Sequence, residues 1–379
     1  MANVLVEGWR FLAHSYALVN QFQCLEMLGR ENLNLFHRDA PLAHSDWRKT
    51  RGLFAADAEQ RLAAIPPPLA EQQMDAIFRI SFPYDMRPSP ASRTAVFLTV
   101  QSAVRPNYFL GGIGIQQAMQ QSNALIVTPS SWSRDRLVES GVPPTRIAVV
   151  PHGIDPAIFH PPSPAARDAI RRKAGCENSF VFLHIGAMTG NKNIGLLLRA
   201  FAFVAQRYPH ARLALKGLDP LFGSTNLLKE AAGELTEAQI AVVQPRLGYW
   251  GGVWPMARMA ELYHSADAYV SPYGAEGFNL PALEAAACGL PLICTAGGPT
   301  DEFTTDDFRL KIEAETEAAQ DAQPGRLLVP HIDSLIAQMS RVLEDSRWVL
   351  RAKETGPAYV NSRLTWRLIV DQLLAKLLS

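Results

Sequence analysis

Neither sign of charge is in excess: 36 basic residues balance 36 acidic ones over 379 positions. That balance argues against nucleic acid as the main partner, and it gives peripheral membrane association, which the sequence leaves open, no support. No stretch approaches the ~20 consecutive apolar residues of a membrane span. The opening MANVLVEGWRF lacks the charged start and apolar run of a secretion signal, so a soluble, cytoplasmic chain is expected. Cysteine is scarce. Cys24, Cys176, Cys288 and Cys294 form no C-x-x-C pair and no zinc-spaced group with histidine, and they read as reduced thiols, mostly in the core. No two aspartates lie two residues apart, so a metal held by a D-x-D motif is not expected. VLVEGWRFLAHS lacks G-x-G-x-x-G, and GGIGIQQA at 111–118 lacks the third glycine, which disfavours a nicotinamide-dependent oxidoreductase.

The length accommodates two domains, each with its own core. The first half opens with a strand, NVLVEGW, a loop, RFLAHS, and the amphipathic helix YALVNQFQCLEML. A polar, proline-bearing region follows, with IPPPL at 65–69 as its clearest breaker. Strands resume at AVFLTV and ALIVTPS, then come a helix at SRDRLVES and the strand RIAVVP. The proline-rich segment 151–165, PHGIDPAIFHPPSPA, reads as a linker. A second series runs FVFLHIG, IGLLLRAFAFVAQRY, RLALKG, PMARMAELYHSA, AYVSPY, a short alanine-rich helix, PLICT and GRLLVP. Strands alternating with helices predict parallel sheets covered on both faces. Segment 218–245 is an insertion of helix and loop, and TWRLIVDQLLAKLL is a final amphipathic helix whose partner the pattern leaves open.

The chemistry concentrates in AEGFNLPALE, residues 275–284. Asn279 is a candidate N-cap, Pro281 stands where a missing N–H costs nothing, and Gly289 closes the helix that begins at Leu280. The unit is strand, turn, helix, strand. In open α/β sheets the carboxyl edge of the strands is where ligands bind, and a helix start there favours an anion. The amides of Gly277, Phe278, Asn279 and Leu280 converge with Glu276 and Glu284 on that edge. Glu284 could accept from two adjacent hydroxyls, as a ribose offers. Two glutamates eight positions apart are common by chance; the flanking Gly277, Asn279, Pro281 and Gly289 make the pattern specific. Gly186 ends an earlier strand and is followed by AMTGNKN, which places Lys192 before a helix, while Lys216 ends the next strand. Two lysines and a helix start suit a diphosphate.

These segments resemble the GT-B retaining glycosyltransferases, specifically the large family four of nucleotide-sugar-dependent hexosyltransferases. The resemblance covers most of 124–310. It rests on ALIVTPSSWSRDRLVESGVPPTRIAVVPHGIDPAIFHP, on HIGAMTGNKNIGLLLRAF, on LYHSADAYVSPYGAEGFNLPALEAAACGLPLICT and on GGPTDEF. It implies an α/β fold of two Rossmann-like, doubly wound domains facing each other across a cleft. The acceptor-side domain would cover 1–155 and the donor domain 156–360, with a C-terminal helix, 361–379, that could cross back to the first. Glu276 and Glu284 match the family's E-x7-E element. By that match Glu276 contacts the donor sugar, Glu284 holds the ribose, and the amides of Phe278, Asn279 and Leu280 lie near sugar and diphosphate, with Gly277 beside them in the donor site. Lys192 neutralises the leaving diphosphate, with Gly186 and Lys216 beside it, and the loop 249–254 lies near the base. Glu276 and Lys192 would carry the chemistry.

The implied reaction transfers a hexose with retention, without cofactor or protein-bound metal, from a nucleoside-diphosphate sugar to a hydroxyl of a glycan or glycoconjugate. Four departures stand out, the first being the altered glycine-rich loop after the first strand, where Gly8-Trp9 precede RFLAHSY. Ala187 occupies a position where the family often has Arg; Gln101 falls where it often has a catalytic His; and His152, where Asn is common, reads as a linker cap. Gly8, His14, Ser15 and Gln101 are the candidate acceptor-side residues. The departures keep a second function open, a nucleotide-sugar-binding protein with little catalysis that serves as a regulatory or scaffold subunit. Turnover with a genuine acceptor separates the two.

Overall fold

Helical crossovers return the chain so that successive short apolar strands pair in parallel, and two six-stranded parallel sheets result. The computed structural model describes residues 1–319 and 325–379 and separates into two units. One comprises Met1–Asp155, Ala318–Arg326 and Leu364–Ser379; the other comprises Pro156–Glu317 and Leu327–Arg363.

In the first unit, β1 (Ala2–Gly8), α1 (Ser15–Met27), β2 (Leu33–Asp39), α2 (Ala56–Ala64), β3 (Ala76–Ile80) and β4 (Arg93–Phe97) precede α3 (Ile115–Gln121), β5 (Leu125–Thr128), α4 (Ser131–Glu139) and β6 (Ile147–Val149). The sheet order is β2-β1-β3-β4-β5-β6. The region expected to be polar and broken by proline therefore contains two strands. In β2, alternation of buried Leu33, Leu35 and His37 with half-buried neighbours hid the strand. In β3, Arg79 interrupts the apolar run, yet it is buried because Glu7 on the neighbouring strand accepts from its Nε at 2.8 Å.

The second unit runs α5 (Pro164–Ala174), β7 (Phe180–Ile185), α6 (Ile194–Arg207), β8 (Ala211–Lys216), α7 (Asp219–Phe222), α8 (Ser224–Ala232), α9 (Glu237–Val243), β9 (Leu247–Trp250) and α10 (Met256–Ser265). It continues with β10 (Ala268–Ser271), α11 (Leu280–Ala287), β11 (Leu292–Thr295) and β12 (Arg309–Ile312). The sheet order is β12-β11-β10-β7-β8-β9. The strand GRLLVP, expected to extend this series, instead pairs as β14 (Arg326–Pro330) with β13 (Ala314–Ala318) in a separate two-stranded sheet. Strands β9 (LGYW) and β12 (RLKI) lie outside the expected series; a glycine or charged residues interrupt the apolar run in each. Helices α12 (Ile332–Glu344) and α13 (Ser346–Arg363) follow.

Helix α14 (Trp366–Leu377) packs on the first unit. Its Trp366 stacks on Phe22 of α1 with centroids 5.5 Å apart, and Arg30 pairs with Asp371 at 2.8 Å. His152, expected as a linker cap, lies in the core of the first unit. It is buried against Phe97 and Trp366 inside the first unit, where desolvation lowers its pKa to about 3.

Candidate functional site

The second sheet reverses its winding between β7 and β10, and the two strands part early. Their ladder pairs Phe182 with Ala268 and Leu183 with Tyr269. Beyond it, the His184 side chain takes over the bonding: its Nδ1 lies 2.8 Å from the Val270 carbonyl. A carbonyl only accepts, so Nδ1 carries the proton and Nε2 presents its lone pair. Among the described residues Nε2 has no partner. Burial, assisted by the charge of Lys192, lowers the pKa of His184 to about 4. A Cβ built on Gly186 would stand 3.2 Å from this Nε2 and 3.4 Å from Cε of Lys192, so a glycine lets the three groups share the crevice floor.

The loops after these two strands are stitched together. Asn193, in the left-handed region at φ 52°, donates from Nδ2 to Pro272 O at 2.9 Å. Asn191 donates to Ala275 O at 2.8 Å and its own carbonyl accepts from Gly274 N at 2.8 Å. This stitching brings Lys192 onto Glu276, and Nζ forms an ion pair with Oε1. The carboxylate is 5 % exposed, so the pair sits in a region of weak screening.

Asn279 does not cap α11 with its side chain. It adopts φ 77°, ψ 61°, and its Nδ2 donates to Ser271 Oγ at 3.0 Å, binding the turn to β10 instead. The first turn of α11 is left without a side-chain cap, and Pro281 contributes no N–H. Phe278 stacks on Phe303 at 4.8 Å, which fixes the turn from below. One turn into α11, Glu284 is buried and its Oε2 accepts from the Tyr263 hydroxyl at 2.6 Å. Burial raises its pKa to about 7.

Lys216 is placed differently from the sequence expectation. Its ammonium donates to the carbonyls of Gly217 and Gly252, the latter at 2.7 Å, and lies 5.4 Å from the Trp254 ring centroid. It thereby fastens the loop 251–254, which follows β9, to the end of β8. Burial lowers its pKa to about 8. Ala187, in place of a basic residue, offers its carbonyl to Ser224 Oγ at 2.8 Å.

In the first unit, Gly8 is a point of close approach: a Cβ there would meet Ile80 O at 2.8 Å. His14 caps α1, accepting from Tyr16 N at 3.2 Å, and packs edge-on to Trp9 at 5.2 Å. Desolvation, with the neighbouring His44, holds its pKa at about 4. Ser15 is exposed at the first position of α1, and Gln101 is exposed with its carbonyl accepting from Trp132 Nε1 at 2.7 Å. His184 and Tyr263 were not among the expected site residues. Each lies in an apolar segment where a ring reads as core, and only the orphaned Nε2 and the short bond to Glu284 distinguish them.

The profile of the glycosyl transferases group 1 family matches residues 166–357. A D-inositol 3-phosphate glycosyltransferase of Nocardiopsis dassonvillei is 26% identical over 268 residues, 69% of this chain and 57% of the relative. The chain thus spans a little over half the length of the curated relatives it matches first. Among solved structures, Anabaena HepE in complex with UDP-glucose superposes with TM-score 0.71 at 16% identity, covering 100% of this chain and 99% of that one. Sucrose-phosphate synthase from Thermosynechococcus elongatus gives 0.68 at 16% identity, covering 99% and 98%. These likenesses establish the GT-B fold. Since the matched span contains the whole β7–α11 crevice, with its stitched loops and paired Lys192 and Glu276, the chain belongs to the glycosyl transferases group 1 family.

Proposed function

We propose that the protein transfers a hexose, with retention, from a nucleoside-diphosphate sugar to a hydroxyl of a glycan or glycoconjugate, and needs no protein-bound metal to do so. The observation that carries this is the Lys192–Glu276 pair beside the uncapped start of α11, at the carboxyl edge where the sheet reverses. A diphosphate entering there meets one ammonium and the positive end of the α11 dipole. It takes Lys192 from Glu276, and the released carboxylate accepts from the sugar's hydroxyls. The bond from the anomeric carbon to the phosphate oxygen breaks while the acceptor oxygen bonds that carbon on the same face. The acceptor's proton passes to the departing phosphate. Lys192 stabilises the charge that develops there. Glu284, with Oε2 already held, receives ribose hydroxyls at Oε1.

The test is thermal unfolding in EDTA with UDP, GDP, ADP, dTDP and NAD at one concentration, followed by turnover with the matching sugar nucleotides. A ligand that binds only the folded protein raises its stability in proportion to RT ln(1 + [L]/Kd). Because the Anabaena neighbour was solved with UDP-glucose, UDP-sugars enter the turnover assay first. The reading predicts a shift with one diphosphate that Lys192→Met removes, and a product whose anomeric configuration matches the donor. Absence of any diphosphate shift in folded protein overturns it.

A further inference from the structure

Glu284 is a carboxyl group that folding has made difficult to ionise. It is 8 % exposed, and the titratable groups that face it are Tyr263 of α10, Tyr269 of β10 and Cys288 at the end of α11, none of which can carry positive charge. Among the described residues no cation offsets its desolvation. The one contact that favours the anion is the hydroxyl of Tyr263, which is fully buried, sits edge-on to Phe159 at 5.9 Å and lies 6.5 Å from Tyr269. Packing on both sides leaves that hydroxyl little freedom, so the bond to Oε2 also fixes the plane of the carboxylate. Among the described residues Oε1 has no protein hydrogen bond.

Resting on the donor-site assignment above, we propose that Tyr263 is a positioning residue of that site. Its hydroxyl locks Oε2 and favours the anion, so that Oε1 accepts from the hydroxyls of a nucleoside's ribose. A protonated Glu284 would offer a donor where the ligand also offers donors, and binding would weaken. Nucleotide affinity therefore rises with pH as Glu284 ionises, and the Tyr263 hydroxyl sets where that rise falls. A tyrosine that merely filled the core would not influence the position of the rise.

The experiment is calorimetric titration of wild type, Tyr263→Phe and Glu284→Gln with UDP, repeated with GDP or ADP should either give the larger thermal shift, from about pH 5.5 to about pH 9. Glu284→Gln removes the protein's carboxyl and so reports the titration of the ligand's own phosphate. After that correction, the wild-type affinity rises through neutral pH. In Tyr263→Phe the rise moves to higher pH, with a loss of roughly tenfold at pH 7 that largely disappears at the alkaline end. A profile unchanged from wild type, or a loss equal at every pH, overturns the role of Tyr263. If Tyr263→Phe fails to fold, wild type compared with Glu284→Gln decides: a wild-type profile that keeps the same pH dependence as Glu284→Gln also overturns the proposal. Failure of wild type to bind any nucleoside diphosphate overturns the donor site itself, a result distinct from all of these.

Discussion

Lys192 and Glu276, 84 positions apart in the chain, neutralise each other across the crevice. Each is thereby spared the cost of an unpaired charge at a poorly hydrated spot, and each is a group that a diphosphate sugar would engage. Removing one partner should free the other. Glu276→Gln is expected to bind inorganic pyrophosphate about tenfold more tightly than wild type, since the phosphate no longer competes with a carboxylate for Lys192. The same variant should lose sugar transfer by roughly two to three orders of magnitude. Isothermal titration and single-turnover kinetics check the two halves, and weaker pyrophosphate binding by Glu276→Gln contradicts the first.

Gly8 and Gly190 offer a matched pair of substitutions. An alanine Cβ at Gly8 would lie 2.8 Å from the backbone oxygen of Ile80, which cannot move without breaking the β1–β3 pairing, whereas nothing lies within 4 Å at Gly190. Gly8→Ala should lower stability by about 1–3 kcal/mol. Gly190→Ala should be neutral or raise it by about 0.5 kcal/mol through the unfolded state. Chemical denaturation reads both.

Three histidines should make the protein labile to acid. His37, His152 and His184 are buried, with pKa values lowered by desolvation to about 3, about 3 and about 4. An unfolded histidine takes a proton near pH 6.5, while the folded ones refuse it until far lower. The stability they contribute is complete above that unfolded value and is lost as pH falls from there toward their folded values. On unfolding at about pH 5 these three rings should therefore take up close to three protons, with His14 adding to the uptake and Glu284 opposing it, and stability should drop by several kcal/mol between about pH 6.5 and about pH 5. Denaturant melts across this range test it; a flat profile would contradict the burial of these rings.

Glu284 acts in the opposite direction. An unfolded carboxyl ionises near its ordinary value of 4.5, but the folded one holds its proton to about 7. Folded protein thus binds the extra proton, and the penalty grows as pH rises from the ordinary value to the folded one. Glu284→Gln should be more stable than wild type at alkaline pH by up to about 3 kcal/mol and no more stable in acid. Thermal melts at the two extremes decide it.

The parts that the sequence made legible were those with long apolar strands or a dense turn motif. FVFLHIG, RLALKG and the 275–284 segment are strands and a helix start in the positions expected. Strands β2 and β3 escaped because polarity was mistaken for exposure: Arg79 is buried with a partner on the next strand, a pairing that no local pattern reveals. Asn279 was misjudged for a related reason. Its side chain bonds Ser271 rather than the helix it precedes, and only a folded turn brings the two together. Lys216 and Tyr263 show the same limit at the site itself, where what matters is the partner across the loop.

Helix α14 closes the first unit only after the second has been synthesised, because Leu364–Ser379 belongs with Met1–Asp155. At ordinary translation speeds the roughly two hundred intervening residues take about 10–40 s to appear. For that interval Phe22 lacks Trp366 and Arg30 lacks Asp371, so the nascent first unit carries an uncovered apolar face on the ribosome. The emergence of residues 364–379, rather than that of residue 155, is the event that completes it.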